Sequence, residues 1–341
     1  MLAADSRTAS GSPHDIDGAD RLIYDAGPVA QVDHAMMFLD TPPRLIGTTV
    51  FSAMPEQFRR KGVRTEWADA NRPGQPTDCF IEGPAFDASG QLYIVDIPFG
   101  RIFKVAPDGT WSLVTEYDGW PNGLKIHPDG RVLVADYRHG LMQLDPGTGR
   151  MQKLLTARHS ESFKGCNDLH IAGNGDIYFT DQGQTGLQDP TGRVYRLSPD
   201  GRLDCLIDTG VSPNGLVLDP AETVLFVAMT RDNAVWRVPL MRDGGVAKVG
   251  RFCSTFGASG PDGLAMDGAG RLFVAHASLG HVFVFAPNGE CIARIKSCAG
   301  PSCTNVAIGG DNDGRLYVTE SVTGSILVAD ISVLESPSRA A

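Results

Sequence analysis

The chain has 341 residues, of which 42% are hydrophobic and 21% charged, with a formal net charge of −10. Its 40 glycines and 22 prolines raise the share of turn formers to roughly 18%, against about 12% on average. That surplus disfavours long helices and suits short strands joined by tight turns. No apolar run approaches the roughly 20 residues of a membrane span, and an acidic balance without an extended Lys/Arg cluster argues against a nucleic-acid partner.

In chain order, residues 1–20 are small, polar and acidic, with no basic start followed by an apolar stretch. Disorder and a cytoplasmic location are the expectations there. Residues 30–40, AQVDHAMMFLD, read as one short amphipathic helix, and PEQFRRKG as a solvated basic cluster. Residues 1–60 are therefore expected to be a partly disordered N-terminal extension, to which no chemistry is assigned. The seven cysteines include no CxxC and the eight histidines no HExxH, so no zinc motif is visible. Free, buried thiols are expected, although Cys298 and Cys303 are close enough in sequence to pair.

From Glu82 onward the sequence repeats. Six segments align: EGPAFDASGQLYIVD from Glu82, NGLKIHPDGRVLVAD from Asn122, NDLHIAGNGDIYFTD from Asn167, NGLVLDPAETVLFVA from Asn214, DGLAMDGAGRLFVAH from Asp262 and TNVAIGGDNDGRLYVTE from Thr304. The copies recur about every 45 residues, and each holds two β-rich segments around a Gly- or Asp-containing turn. A third strand follows at residues 101–105, 140–144, 193–197, 234–238, 281–285 and 325–329. A fourth follows in five copies: WSLVTEY, MQKLLTA, LDCLID, AKVGRF and CIARIKS. Four short strands per period mark the blade of a β-propeller. The expected fold is all-β: a six-bladed propeller over residues 61–335, with four antiparallel strands per blade. The sixth copy lacks an outer strand, which either Val63–Asp69 or Leu45–Phe51 is expected to supply, closing the ring.

Strand polarity turns this repeat into a site argument. The innermost strand of every blade starts on one face, at the mouth of the central channel. Six equivalent positions converge there: Glu82, Asn122, Asn167, Asn214, Asp262 and Thr304–Asn305. An oxygen-only ring with two carboxylates and several amides suits a hard divalent cation, without which the carboxylates would repel. Asn-Gly and Asp-Gly are also ordinary turn dipeptides, and for any one of them alone that reading stays open. Against it, these dipeptides open strands instead of linking hairpins, and the first copy carries Glu, a poor turn former. Loops on the same face supply specificity candidates, Phe99, Tyr137, Lys164 and Arg231 among them. Aromatic and cationic groups together suit a small polar or anionic substrate with a flat portion. The loop after Asp181 is the longest connection on that face and is expected to cover part of the mouth.

The segments EGPAFD, NDLHIAGNGDIYFTD, SPNGLVLD and GPDGLAMD resemble, in order and spacing, motifs of the senescence marker protein/gluconolactonase family, the regucalcin-like lactonases. The resemblance runs from about Phe80 to about Ile331. It implies a propeller that binds one divalent cation in its channel (Ca²⁺ first, with Mg²⁺, Mn²⁺ or Zn²⁺ as alternatives) and opens cyclic esters. It makes Glu82 and Asn214 metal ligands, Asp262 both ligand and general base, and Asn167 a group at the metal or at the substrate beside it. Gly165 departs from the pattern, since some sugar-lactone members carry arginine there, and Asn122 has no assignment in it.

The chemistry implied is lactone hydrolysis. A metal would polarise the ester carbonyl, and Asp262 would take a proton from water and return it to the ring oxygen. Asn122 and Asn167 would donate N–H bonds to the substrate. No GxSxG is present, which disfavours the α/β-hydrolase route. The expected partner is a small lactone, with no nucleic acid or membrane, and oligomeric state is not legible. Two alternatives stay open: phosphotriester hydrolysis on the same metal site, and a non-catalytic binding propeller of the NHL type.

Overall fold

Short apolar runs such as Leu92–Asp96, Val132–Asp136 and Val224–Met229 are buried on both faces, as strands sandwiched between neighbouring sheets must be. The computed structural model describes residues 42–310 and 313–335. Within them each repeat folds into an antiparallel sheet. The innermost strands are Ile81–Phe86, Pro121–Ile126, Cys166–Ile171, Pro213–Leu218, Pro261–Met266 and Cys303–Ile308. They follow one another around a closed ring, the sixth lying against the first. Six apolar clusters lie one at each blade–blade junction. In the cluster that closes the ring, Tyr317 and Ile326 of blade 6 pack with Ile94 and Phe103 of blade 1.

Closure uses residues assigned above to the extension. Strand β2 (Thr49–Ala53) runs antiparallel to Ser325–Asp330, with Thr49 opposite Val328, and is the fourth strand of blade 6. Strand β1 (Arg44–Gly47) lies parallel to Cys291–Lys296 as a fifth strand on blade 5. Of the two expected donors, the Leu45–Phe51 stretch thus contributes to both blades, whereas Val63–Asp69 does not pair. Its end is helical instead: Thr65 caps the short helix α1 (Glu66–Asn71) by accepting a hydrogen bond from the Ala68 N–H. The outer strand of blade 4 is Gly250–Ser254, later than AKVGRF, because a turn closed by a Leu240–Val246 bridge takes up the preceding residues. The expected helix at 30–40 and the tail at 1–20 lie outside the described residues.

All seven cysteines are free. Cys79, Cys166, Cys253 and Cys303 are buried, but Cys298 is exposed and Cys205 and Cys291 are half-buried, so the expectation of buried thiols holds for four. Among the described residues no helix is long and apolar enough to cross a membrane.

The axis itself is built by glycine. In every blade the pairing of the first two strands slips near the start of the inner strand, a β-bulge at the repeated dipeptide. The second residues of these dipeptides form a layer: Gly83, Gly123, Asp168, Gly215, Gly263 and Asn305. A Cβ on Gly215 would lie 2.5 Å from the Asp262 carbonyl oxygen and 2.7 Å from the Gly263 Cα. A Cβ on Gly123 would lie 2.6 Å from the Asp168 Cα. Glycine is required here by backbone-to-backbone approach between blades, not by a turn. Replacing Gly215 by Ala forces two inner strands apart, with an expected loss of about 1–3 kcal/mol. Urea unfolding checks this, and an unchanged midpoint would show that the strands have slack.

Candidate active site

In five blades the bulge aims the first residue of the dipeptide into a cavity of about 590 Å³ at one end of the channel. Glu82, Asn122, Asn167, Asn214 and Asp262 all line it, with Tyr137 and Arg231 at its sides. A second cavity, at the other ends of the inner strands, shares no lining residue with the first. The sixth blade departs from the ring. Its Thr304 hydroxyl is taken by the Ile81 carbonyl and by Thr319 and Ser321, so it does not line the cavity. Ser302 does instead.

Glu82 and Asn214 are only 4% and 7% exposed, and burial dominates their chemistry. Glu82 Oε2 accepts hydrogen bonds from the Gly83 N–H and from Asn305 Nδ2, both at 2.7 Å. Burial nevertheless pushes its carboxyl up to about 7, with the charge of Asp168 adding to the rise. Asp262 is raised well above the ordinary carboxylate range, first by burial and then by the charges of Glu82 and Asp168. The Asn214 amide and the Arg231 guanidinium oppose that rise. Asp168 is raised as well, chiefly by burial, and Lys125, 4.0 Å away, opposes the shift.

Asp168 is the residue that sequence reasoning passed over. It stands in the glycine layer, where four of the six blades have no side chain, and it is 2% exposed beneath the ring. The ND pair in the third repeat, set against NG and DG elsewhere, was the available signal. Its neighbour Asn167 is held by a relay in which Asn167 Nδ2 donates to Gln182 Oε1 at 2.8 Å and Gln182 Nε2 donates to Ser212 Oγ at 3.0 Å. This fixes the amide and leaves Oδ1 free to accept. Gln182 opens the long loop after Asp181. Gln184 from that loop donates to the Tyr137 hydroxyl at 2.9 Å, so the loop does flank the mouth.

Two specificity candidates do not reach the cavity. Lys164 Nζ donates to Thr191 Oγ1 at 2.6 Å and sits 3.9 Å from Asp189, which anchors it to the outer loop. Phe99 packs under the Arg101 guanidinium, 5.2 Å from the ring centroid, where Arg101 also clamps buried Asp96. Gly165 has a physical reason for its departure from the resemblance. A Cβ there would meet the Tyr137 ring at 2.6 Å, so Tyr137 fills the space a longer side chain would need. The largest surprise is the wall supplied from the N-terminal side. Trp67, Asn71, Arg72, Pro73 and Gln75, to which no role was assigned, line the same cavity.

The donor set fits a hard divalent cation. Glu82 and half-buried Asp262 line the cavity with Asp168 beneath them. The neighbouring charges raise the proton affinity of Glu82 and Asp262, and a cation beside them would relieve that repulsion. Among the described residues no group of three His, Cys, Asp or Glu is arranged to hold a metal, so a cation there would need amide oxygens as well.

The comparisons follow the same lines. The family model described as SMP-30/Gluconolactonase/LRE-like region matches residues 80–322. The chain belongs to this family. It is 33% identical over 274 residues to the gluconolactonase of Zymomonas mobilis, covering 70% of this chain and 76% of that protein. It is 31% identical over 245 residues to lactonase drp35 of Staphylococcus aureus, covering 67% and 72%. In fold it matches regucalcin of Agrobacterium tumefaciens, a calcium-binding protein, with a TM-score of 0.67 at 22% identity, covering 84% of this chain and 95% of that one.

The raised carboxyls have a stability consequence. Folded Glu82 holds its proton up to about 7, against 4.5 ordinarily, so the folded chain binds the extra proton between these values. Stability therefore falls as pH rises through that window. Chelator-treated protein is expected to melt at a lower temperature at about pH 7.5 than at about pH 5, and added Ca²⁺ to flatten the difference. Thermal melts across that range check this; a cation-free midpoint that rises with pH would contradict it.

Proposed function

We propose that the protein hydrolyses a small lactone in this cavity, using one divalent cation, with Ca²⁺ the first candidate. The observation that carries the reading is the convergence of buried Glu82 from blade 1 and half-buried Asp262 from blade 5 in a cavity otherwise rich in amides and hydroxyls. The names of the relatives, gluconolactonase and lactonase, support the reaction class, and the calcium-binding neighbour supports the cation. Glu82, Asn214 and Asp262 would hold the cation, with Asn167 beside them. When bound, it supplies Lewis acidity toward an ester carbonyl.

The chain's own groups do the rest. Asp262 is the assigned general base. Its half-buried carboxylate has an elevated affinity for a proton, which suits it to accept one from the attacking water and return it to the departing ring oxygen. Asn167 presents Oδ1 to a substrate hydroxyl, because one of its N–H donors is already spent on Gln182. Asn122 offers a further amide on the same rim. Trp67, Phe80 and Tyr137 give the cavity flat walls, and together with α1 they limit the water that reaches the floor.

A pH-stat assay over a panel of γ- and δ-lactones and aryl phosphotriesters tests this. Turnover of a lactone is expected with Ca²⁺ present and is lost with chelator. Glu82→Gln and Asp262→Asn should each lower kcat/KM by about 10²–10⁴-fold while the circular dichroism spectrum stays unchanged. Failure to hydrolyse any lactone with cation present overturns the reading, and a clear preference for phosphotriesters redirects it.

A further inference from the structure

The N-terminal wall of the cavity carries an imbalance of charge. Cations along the segment leading to it are paired. Arg59 meets Asp78 at 3.1 Å, Arg60 meets Glu116 at 2.8 Å, Lys61 meets Glu56, and Arg64 meets Asp69 at 2.8 Å. Arg72, the one that lines the cavity, pairs with no carboxylate among the described residues. It rests 5.5 Å over the Phe80 ring, and one terminal nitrogen donates to the neutral Gln75 side chain at 2.7 Å. Its Nε is buried without a hydrogen-bond partner.

On another wall Arg231, an exposed side chain, also forms no salt bridge among the described residues. Among the described residues its one hydrogen bond is a 3.3 Å contact with the Ala258 carbonyl. The adjacent carboxylate, Asp232, is taken by Arg251. Arg231 is close enough to Asp262 to oppose its raised proton affinity. A divalent cation bound there would balance Glu82 and Asp262, and Lys125 faces Asp168, so the two guanidiniums would remain in surplus. Asn71, Gln182, Ser259, Ser278 and Ser302 contribute no charge. Guanidiniums left without carboxylates in a concave site attract an anion, and Arg binds planar oxyanions through paired N–H donors.

We infer that the substrate is a lactone bearing an anionic group, a carboxylate or a phosphate, remote from its ester and received between Arg72 and Arg231. This rests on the lactonase reading and narrows its substrate class. The segment carrying α1 is then a specificity element that selects charge at the mouth while the axial ring attends to the ester.

Matched pairs isolate the charge. The γ-lactones of glucaric and gluconic acid differ by a terminal carboxylate in place of a hydroxymethyl group. The δ-lactones of gluconic acid and of its terminal phosphate ester differ by the phosphate. The enzyme is expected to favour the charged member of at least one pair by about tenfold or more in kcat/KM, and the favoured pair distinguishes carboxylate from phosphate. Arg72→Gln should cut that preference about tenfold, Arg72→Lys should recover part of it, and salt raised from about 0.05 to 0.5 M should weaken it. Equal kcat/KM within both pairs, or a preference that survives both Arg72→Gln and Arg231→Gln, overturns the inference and leaves the lactonase reading standing. Turnover of none of the four, and of no other lactone in the panel above, overturns the lactonase reading. Calorimetric titration then tests the anion site directly: glucarate binding more tightly than gluconate, with the difference lost in Arg72→Gln, supports it, and equal affinities overturn it.

Discussion

Close approach of six inner strands around one axis is the constraint on which the molecule depends. It is possible only because four blades present glycine where their backbones touch. The same approach brings one side chain from each of five blades to a common point. Packing at the axis and assembly of the cavity are therefore one event, and a residue such as Gly215 serves both without touching a substrate. The bulge at each dipeptide is the local device that turns its first residue toward the mouth.

Gathering Glu82, Asp168 and Asp262 at one end of the channel costs stability, and each carboxyl is raised above its ordinary range. Such a site has two ways to become comfortable: keep its protons or accept a cation. The amide relay through Asn167, Gln182 and Ser212 belongs to the same economy of oxygen atoms. By consuming donors on one side it leaves acceptors on the other. The chemistry of the cavity floor is thus set by buried hydrogen bonding, while its walls carry Arg72 and Arg231, neither in a salt bridge among the described residues.

Much of this was legible in the sequence, because a propeller repeats its logic every 45 residues or so and chance does not. The third strands of all six blades lie where the repeat put them, and the axial Glu, Asn and Asp positions were identifiable by alignment alone. What escaped lacked a periodic signature. Phe99 and Lys164 sit in loops, where spacing says nothing about which way a side chain turns. Asp168 was hidden by its more suggestive neighbour Asn167. The N-terminal segment has no copy elsewhere in the chain, so nothing marked Trp67 or Arg72 as facing the channel.

The join between β2 and the last blade has a kinetic side. Thr49 is made early in synthesis, yet its partner Val328 emerges only when nearly every blade already exists. Pairings of such separation form slowly, since a long loop must close before any contact rewards it. The segment carrying α1 follows β2 directly, so the outer wall of the cavity is tethered to the final seam of the ring. A chain still leaving the ribosome can fold successive blades, but it lacks a finished mouth. Competence to select a substrate arrives with the last strand pair.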